Sequence, residues 1–586
     1  MTLHGWTRRL LWTAFFGLPT ALLAFGVWSG YQAKELNSEL GAAVDDANVL
    51  QAALRSGDQR QAGIALEAMQ ADIAAATERT GSRTWSVLTY FPVFGDDAEG
   101  VRLVAEVVKS LADSGIAPLV DQASDLDALA PSEGRLPIKT LIDLQAPVAE
   151  ASEIFTAADA RLSAADPTGY LWPLRPKFEE LATRVSDAAS ALASADTALQ
   201  VMPSMLGADG PRTYLLVFQN NAEVRATGGL PGAVSILQAD EGKLSMTEQV
   251  TGSSLGEAER PALPLTPGER EVYGPQLGTY FLDANFTPDF PRAAALMQAR
   301  WQQVYGDRID GVIAVDPVAM SYLLDAMGPV DVEGRTLTSA NAVQELLSEV
   351  YLRESDPEIQ DDFFADVARS VFTSVTNGGG DPRGLLENMA RGAREHRVLV
   401  HSFAPNEQAV LAGTPVAGDL MPSDPARPQV GIYLNDNTGS KMSYYLRMPA
   451  VIEETSCSGD AQRIQASAVV SSIAPADAAT SLPPYVTGGG FYGIDPGSQI
   501  VAVRMYAPAG GSIEEYTIDG QAQKRLPIVE LDGRDVLTSY IQVGPQESVD
   551  LGWTVVSGPG QTGDIDFAVT PGVEPVSTIS TVPSAC

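Results

Sequence analysis

The chain has 586 residues, enough for two or three domains that each bury a core of their own. Its formal net charge is −36, with 38 Lys and Arg against 74 Asp and Glu, which excludes a general nucleic-acid binder because the phosphate backbone would be repelled. Two cysteines, Cys457 and Cys586, and three histidines, His4, His396 and His401, do not make any usual zinc site.

The chain opens with an export signal of some kind. From Leu10 to Tyr31 no residue is charged, a run of about 20 largely apolar positions that is long enough to cross a bilayer. Arg8 and Arg9 precede it, and Glu35, Glu39, Asp45 and Asp46 follow. The positive-inside rule therefore predicts a cytoplasmic tip over 1–9, a single transmembrane helix over 10–31 in the plasma membrane, and an extracytoplasmic remainder. Trp12 and Trp28 stand near the two ends, where indoles favour the interface. A cleavable signal peptide is the rival reading, although this run is longer than a usual signal core. In an exported chain Cys457 and Cys586 are expected to form one disulfide, tying the last residue back to its domain. The alternative is two unrelated thiols.

Residues 33–205 are rich in Ala, Leu, Asp and Glu, with apolar positions three and four apart. Ala42, Val49, Leu50, Ala53, Leu54, Leu66, Met69 and Ile73 make one stripe, and Phe178, Leu181, Val185, Ala188, Leu192 and Leu199 another. Turns are marked at Pro92–Gly95, Pro131–Gly134 and Pro167–Pro176. The pattern predicts an all-α stalk or bundle whose stripes are packing core, with no chemistry of its own.

Residues 207–427 alternate between strand and helix patterns and predict an α/β domain. The strands are expected at Tyr214–Gln219, Gly232–Ala239, Leu244–Val250, Gly311–Asp316 and Val398–Phe403. The helices are expected at Pro291–Tyr305, Pro317–Met327, Ser339–Arg353, Pro357–Thr376 and Pro382–Glu395, several of them opening on Pro. Residues 428–586 switch to short alternating runs, which predict an all-β sandwich. Those runs are Val430–Leu434, Ser443–Met448, Arg463–Val470, Ile500–Tyr506, Ser512–Ile518, Val536–Val543, Val549–Val556 and Ile565–Val569. The glycine runs Gly378–Gly380 and Gly488–Gly490 lack the strand–loop–helix context and the Lys–Ser/Thr of a nucleotide loop, so TGGGFYG reads as a turn.

The stretch Tyr214–Leu237 organises the α/β part. Two apolar runs enclose a polar insert, Gln219, Asn220, Asn221, Glu223, Arg225 and Thr227, closed by Gly228, Gly229, Pro231 and Gly232. Amides, a carboxylate and a guanidinium at a sheet end suit a polar or anionic ligand, since Arg offers a planar fork of donors. A well-capped hairpin with a solvated turn explains the same residues. Asn285 and Asp289 either line a site or serve as turn and cap residues before Pro291. Asp316 before Pro317 reads first as a helix cap, and Arg212 as surface or structural.

FQNNAEVRATGGLPGA, with LDANFTPDFP (Leu282–Pro291) and DGVIAVDPVAMSYLLDAMGPV (Asp310–Val330), resembles a bacterial envelope family, domain of unknown function 4012. More remotely, over about Tyr214–Phe372, it resembles the LytR-CpsA-Psr glycopolymer phosphotransferases. That second resemblance implies a polyprenyl-pyrophosphate-linked glycan held by arginines and by a carboxylate-bound metal such as Mg²⁺, for transfer to the cell wall. It places arginines at Arg225 and Arg353 as catalytic residues, and Gln360 on the later helix. Thr227 falls where that family carries a metal-binding aspartate, and Glu223 is the nearest carboxylate upstream. Gln219, Asn221, Glu223, Thr227, Asn285, Asp289 and Gln360 are thus the candidate ligand-binding residues.

No G-x-S-x-G elbow and no zincin helix occurs, and His396 and His401 have no partner motif for a nucleophile. Two functions remain. One is an anchored envelope protein that binds, and in the transferase case transfers, a lipid-linked glycan. The other is a non-catalytic envelope scaffold or adhesion protein contacting wall polymers or proteins. Convergence of Arg225, Arg353 and a carboxylate on a deep cleft would favour the first.

Overall fold

The computed structural model describes residues 46, 48–50, 52–53, 58–90, 95–121, 131, 134–172, 174–380, 382–420, 424–525 and 527–586. The membrane helix expected over 10–31 lies outside them. Among the described residues, no helix is long and apolar enough to cross a membrane. The chain divides into two compact units. One runs to Gly210 and takes in 240–243 and 381–386; the other holds 211–239, 244–380 and 387–586.

The first unit is helical. Its long helices are Gln59–Thr80, Gly95–Ser110, Ile138–Ser163 and Leu174–Met205. Asp58 starts the first of these by accepting a hydrogen bond from Gln61 N at 3.0 Å, satisfying one donor that the first turn leaves open. Leu66, Met69 and Ile73 are buried, as are Phe178, Leu181, Val185, Ala188, Leu192 and Leu199. These belong to the stripes expected from spacing, of which Ala42 and Leu54 lie outside the described residues; Val104, Val108, Leu141, Leu144 and Phe155 are buried too. Val49, counted in the first stripe, is exposed.

The second unit is a layered α/β body with a sheet-rich C-terminal part. Its strands up to Ser402 are β1 (Arg212–Arg225), β2 (Gly228–Asp240), β3 (Lys243–Thr251), β4 (Gly311–Val315), β5 (Val330–Val332), β6 (Arg335–Leu337) and β7 (Val398–Ser402). Five of them form a mixed sheet in the order β3-β2-β1-β4-β7. β1 runs antiparallel to β2 and parallel to β4, and β4 runs antiparallel to β7. β5 and β6 make a separate two-stranded ribbon. The helices Phe290–Tyr305, Pro317–Met327 and Pro357–Thr376 stand where proline starts predict them. The single helix expected over Ser339–Arg353 starts three residues later and runs unbroken to Arg353. Thr338 N donates to Asn341 Oδ1 at 2.7 Å, a turn that delays the helix to Ala342, and one wider, π-helical turn over Glu345–Glu349 lies within it.

The later strands are β8 (Gln429–Asp436), β9 (Leu446–Arg447), β10 (Ala450–Ser458), β11 (Ala461–Ser472), β12 (Gln499–Tyr506), β13 (Ser512–Ile518), β14 (Gln521–Ala522), β15 (Ile528–Leu531), β16 (Arg534–Val543), β17 (Ser548–Val556), β18 (Ile565–Val569) and β19 (Ile579–Val582). They form two sheets, β10-β11-β17-β13-β14 with β9 beside β11, and β15-β16-β12-β8-β18-β19. Ile464, Val470, Trp553 and Val555 of the first share a core with Ile432, Val503, Leu537 and Phe567 of the second. The second sheet is covered on its other face as well, where Tyr433, Tyr506, Val536 and Ala568 join the α/β core around Trp301, Phe281 and Phe290. Double burial explains why β8 and β12 are buried almost throughout instead of alternating. Residues 443–445 form a helical turn rather than the start of a strand, and β10, β15 and β19 were not expected from the sequence. β10 is an edge strand with Val451, Glu453 and Glu454 exposed, so it carries no regular apolar alternation. The expected disulfide is present: Cys457 of β10 is bonded to Cys586, with Cα atoms 5.0 Å apart.

Candidate functional site

The polar insert is not a loop at a sheet end. β1 continues through it to Arg225, and the chain turns only at Ala226 and Thr227. Pairing with β2 slips between Asn220 and Val224, so that Asn221, Ala222 and Glu223 bulge from the ladder. Gly228 holds φ +126°, and a Cβ at Gly229 would stand 2.5 Å from Asn221 N, so both positions require glycine. The bulge sends successive side chains in different directions, and each enters a separate buried network.

The first network closes the turn. Thr227 Oγ1 lies 2.7 Å from the Gln219 side-chain amide, and Asn285 Nδ2 donates to Thr227 Oγ1 and to Gly229 O, each at 2.8 Å. Ala226 N donates to Asn435 Oδ1 at 3.1 Å, and Thr570 Oγ1 donates to Ala226 O at 3.3 Å, binding the turn to β8 and to the residue after β18. Gln219, Thr227 and Asn285 are all buried. Most of their polar groups bond one another and the backbone, as buried polar groups tend to; Asn285 Oδ1 is buried without a hydrogen-bond partner.

The second network holds Arg225, which is 6% exposed. Its Nη2 donates to Asp283 Oδ1 at 3.1 Å, its Nη1 donates to Val224 O at 3.1 Å, and its plane lies 4.9 Å from the Phe286 ring centre. Burial raises the Asp283 carboxyl above its usual range, against the pull of Arg225.

The third network holds Glu223, which accepts from Lys441 Nζ. That ammonium sits 4.9 Å from each of the Tyr351 and Tyr485 ring centres, and Asn220 Nδ2 donates to Tyr351 Oη at 2.7 Å. Burial works to lower the Lys441 pKa, but Glu223 and the two tyrosines outweigh it and hold it above the ordinary value.

The fourth network joins the bulge to the C-terminus. Asn221 Nδ2 donates to Asp316 Oδ2 at 3.0 Å, and Arg397 Nη1 donates to the same oxygen at 2.8 Å. Arg397 is fully buried; it also donates to Gly572 O at 2.8 Å, to Glu574 O, and to Glu395 Oε2 at 2.9 Å. Asp316 caps the helix Pro317–Met327 as expected, through Ala319 N at 2.7 Å. Burial raises its carboxyl, and Arg397 opposes that rise. Arg397 was not singled out in the sequence, where an arginine before an apolar strand reads as a surface residue. Arg212, read as surface or structural, pairs with the buried Glu407 at 2.8 Å.

The remaining candidates lie apart from these networks. Arg353 pairs with Glu345 Oε2 at 3.2 Å and lies over Phe363, and it shares no partner with Arg225 among the described contacts. Gln360 Nε2 donates to Glu354 O at 2.8 Å and closes the turn before its helix. Asp289 precedes the helix Phe290–Tyr305 without a side-chain cap bond and accepts from Leu420 N at 3.3 Å. A crevice with room for about one water lies beside Thr227, lined also by Pro288, His396, Asp419, Gln429 and Tyr433. Burial lowers the His396 pKa to about 4. Among the described residues, no group of three or more His, Cys, Asp and Glu side chains is placed to hold a metal ion. Glu223 and Thr227, the positions nearest the implied metal ligands, are engaged by Lys441 and by Gln219 and Asn285.

Burial raises Asp289 from 3.8 to about 6; the Leu420 amide opposes this and Asp419 and Asp532 add to it. A folded pKa above the unfolded one means that the folded state holds an extra proton between those values. The charged carboxylate therefore costs stability at high pH, and the cost vanishes as pH falls. Asp289→Asn is expected to be about 3 kcal/mol more stable than the parent at pH 8, with the difference gone below about pH 4. Urea unfolding at several pH values measures it.

No curated protein and no solved structure matches the chain. Residues 209–351, which span β1 through the helical turn ending near Arg353, match the family described as Protein of unknown function (DUF4012), and this part of the chain carries that family's domain.

Proposed function

We propose that the protein is a membrane-anchored, outward-facing cell-envelope protein that engages wall or glycan polymer without transferring it. The observation that carries this reading is the fate of the two arginines. A phosphotransferase needs them free to meet pyrophosphate; Arg225 is buried against Asp283, and Arg353 is paired with Glu345. The polar stretch around Arg225 then serves as a joint between sheets. The disulfide supports an oxidising compartment, because such bonds persist mainly outside the cytosol. The charge-free run Leu10–Tyr31 supports the anchor.

The test pairs chemistry with stability. The full chain with Mg²⁺ and a short-chain polyprenyl-pyrophosphate disaccharide is expected to leave the pyrophosphate bond intact. Arg225→Ala is expected to lose about 2–4 kcal/mol of unfolding free energy, since Asp283 is left buried and unpaired. Cleavage by the parent, abolished in a variant of unchanged stability, would replace this reading with the transferase.

A further inference from the structure

The second unit carries an aromatic surface of which only Tyr485 touches one of the buried networks, through Lys441. Phe491 is 87% exposed, Tyr492 52% and Tyr485 46%, all within eight residues of one another around Gly488–Gly490. Single exposed apolar residues are ordinary; three exposed aromatic rings within eight residues, one on the short helix Pro484–Thr487 and two on the loop after it, are not.

The rings are held in place by what lies behind them. A Cβ at Gly489 would stand 2.7 Å from Phe491 Cε2 and 3.6 Å from Pro484 Cβ, so the Phe491 ring lies against glycine backbone beside an exposed proline. A Cβ at Gly439 would stand 2.9 Å from Tyr492 Cζ, so the Tyr492 ring is backed by glycine in the same way. Tyr485 is backed by the buried Lys441 ammonium, 4.9 Å from its ring centre. The loop itself is pinned: Phe491 N donates to Gly488 O at 3.1 Å, Gly497 N to Thr487 O at 3.0 Å, and Lys441 N to Val486 O at 2.9 Å. Each ring thus has one side occupied and one side bare, in a segment already ordered before any ligand arrives.

The charge of the segment decides among occupants. Residues 473–503 contain no lysine, arginine or histidine, and their only charged side chains are Asp477 and Asp495. A lipid surface is held by aromatic residues together with basic ones, and a chain of net charge −36 is repelled by anionic headgroups. A phosphate-bearing polymer meets the same objection. A neutral pyranose does not: its C–H face stacks on the electron-rich face of an aromatic ring, and needs no cation.

We propose that Tyr485, Phe491 and Tyr492 form a stacking platform for an uncharged stretch of polysaccharide. The proposal rests on the outward-facing envelope reading, since only there does the loop meet such polymers.

The full chain is titrated with chitotetraose, cellotetraose and mannotetraose in a polyoxyethylene detergent, which carries no sugar headgroup. Phosphatidylcholine and phosphatidylglycerol vesicles serve as separate probes. At least one tetrasaccharide is expected to bind, and Phe491→Ala and Tyr492→Ala are each expected to weaken it roughly tenfold at an unchanged melting temperature. No saccharide binding, or equal binding by parent and variants, overturns the platform; vesicle binding lost in the variants replaces it with a membrane contact. Thiol trapping of Cys457 and Cys586 in intact cells of the source organism reports the compartment independently. Reduced cysteines sink the envelope reading whatever the sugars do, and an oxidised pair without sugar binding sinks the platform alone.

Discussion

Arg397→Met is expected to destabilise the second unit by about 3–5 kcal/mol, the cost of breaking a buried ion pair by removing one partner. The guanidinium is fully buried and its donors are spread over Asp316, Glu395 and the carbonyls of Gly572 and Glu574. Methionine of similar length fills much of the space but leaves Asp316 charged and enclosed, with only Asn221 Nδ2 and Ala319 N to stabilise it. The part-buried carbonyl of Gly572 loses its donor as well, whereas Glu574 O, on an exposed residue, keeps a bond from Val576 N at 2.9 Å. Arg397→Lys should recover only part of it, because one ammonium cannot span four acceptors as a planar fork does. Urea unfolding followed by tryptophan fluorescence measures both variants. A loss below about 1 kcal/mol for the methionine variant would show that the pair contributes no more than a surface one.

Glu223 and Lys441 provide the second large effect, read as a double-mutant cycle. Each is nearly buried, and each is the other's counter-ion. Glu223→Gln leaves an ammonium between two tyrosine rings, and Lys441→Met leaves a carboxylate without its cation. Each single change is expected to cost about 3 kcal/mol, and the pair of changes less than the sum, with a coupling of about 2 kcal/mol. Additive losses would mean that the rings, and not Glu223, hold the ammonium in place. The cycle separates those two causes because Tyr351 and Tyr485 are untouched in all three variants.

Much of the second unit was legible in the sequence, and the reasons are local. Pro317 and Pro357 fix helix starts through their own ring geometry, and Asp316 announces its cap from one residue away. The apolar halves of β1 and β2 show as strands because their neighbours are polar or glycine. The stretch between them, expected as a polar insert at a sheet end, is a bulged continuation of β1, and the reason it does not show is equally physical. Gln219, Asn221 and Thr227 look like ligand groups only while their partners are unknown, and the partners include Asn285, Asp316 and Pro571, up to 350 residues away. Polar residues that bond across such distances give the same composition as polar residues waiting for a ligand. Arg225 is the sharpest instance, since Asp283 stands 58 residues later and nothing nearby announces the pair. Edge strand β10 escaped because only Ala450 and Ile452 pack on the core and the pairing slips after Ile452, which leaves no sustained apolar period to detect. β8 and β12 showed as strands, but the burial of both their faces was not visible, because the covering layers come from remote segments.

The sheet β15-β16-β12-β8-β18-β19 lies between the α/β core and the other β-sheet, and its β8 pairs in parallel with β18 near the end of the chain. A ribosome releases β1 more than 300 residues before it releases β18. Until then the turn at Ala226 lacks its bond from Thr570, Arg397 lacks the carbonyls of 572 and 574, and the α/β core lacks Ala568. Closure of this unit is therefore a late, high-contact-order event that begins only when the last segment has emerged. A chain cut short by a few dozen residues would lose far more than a terminal hairpin, because the middle layer itself would be left with an unpaired edge beside β8.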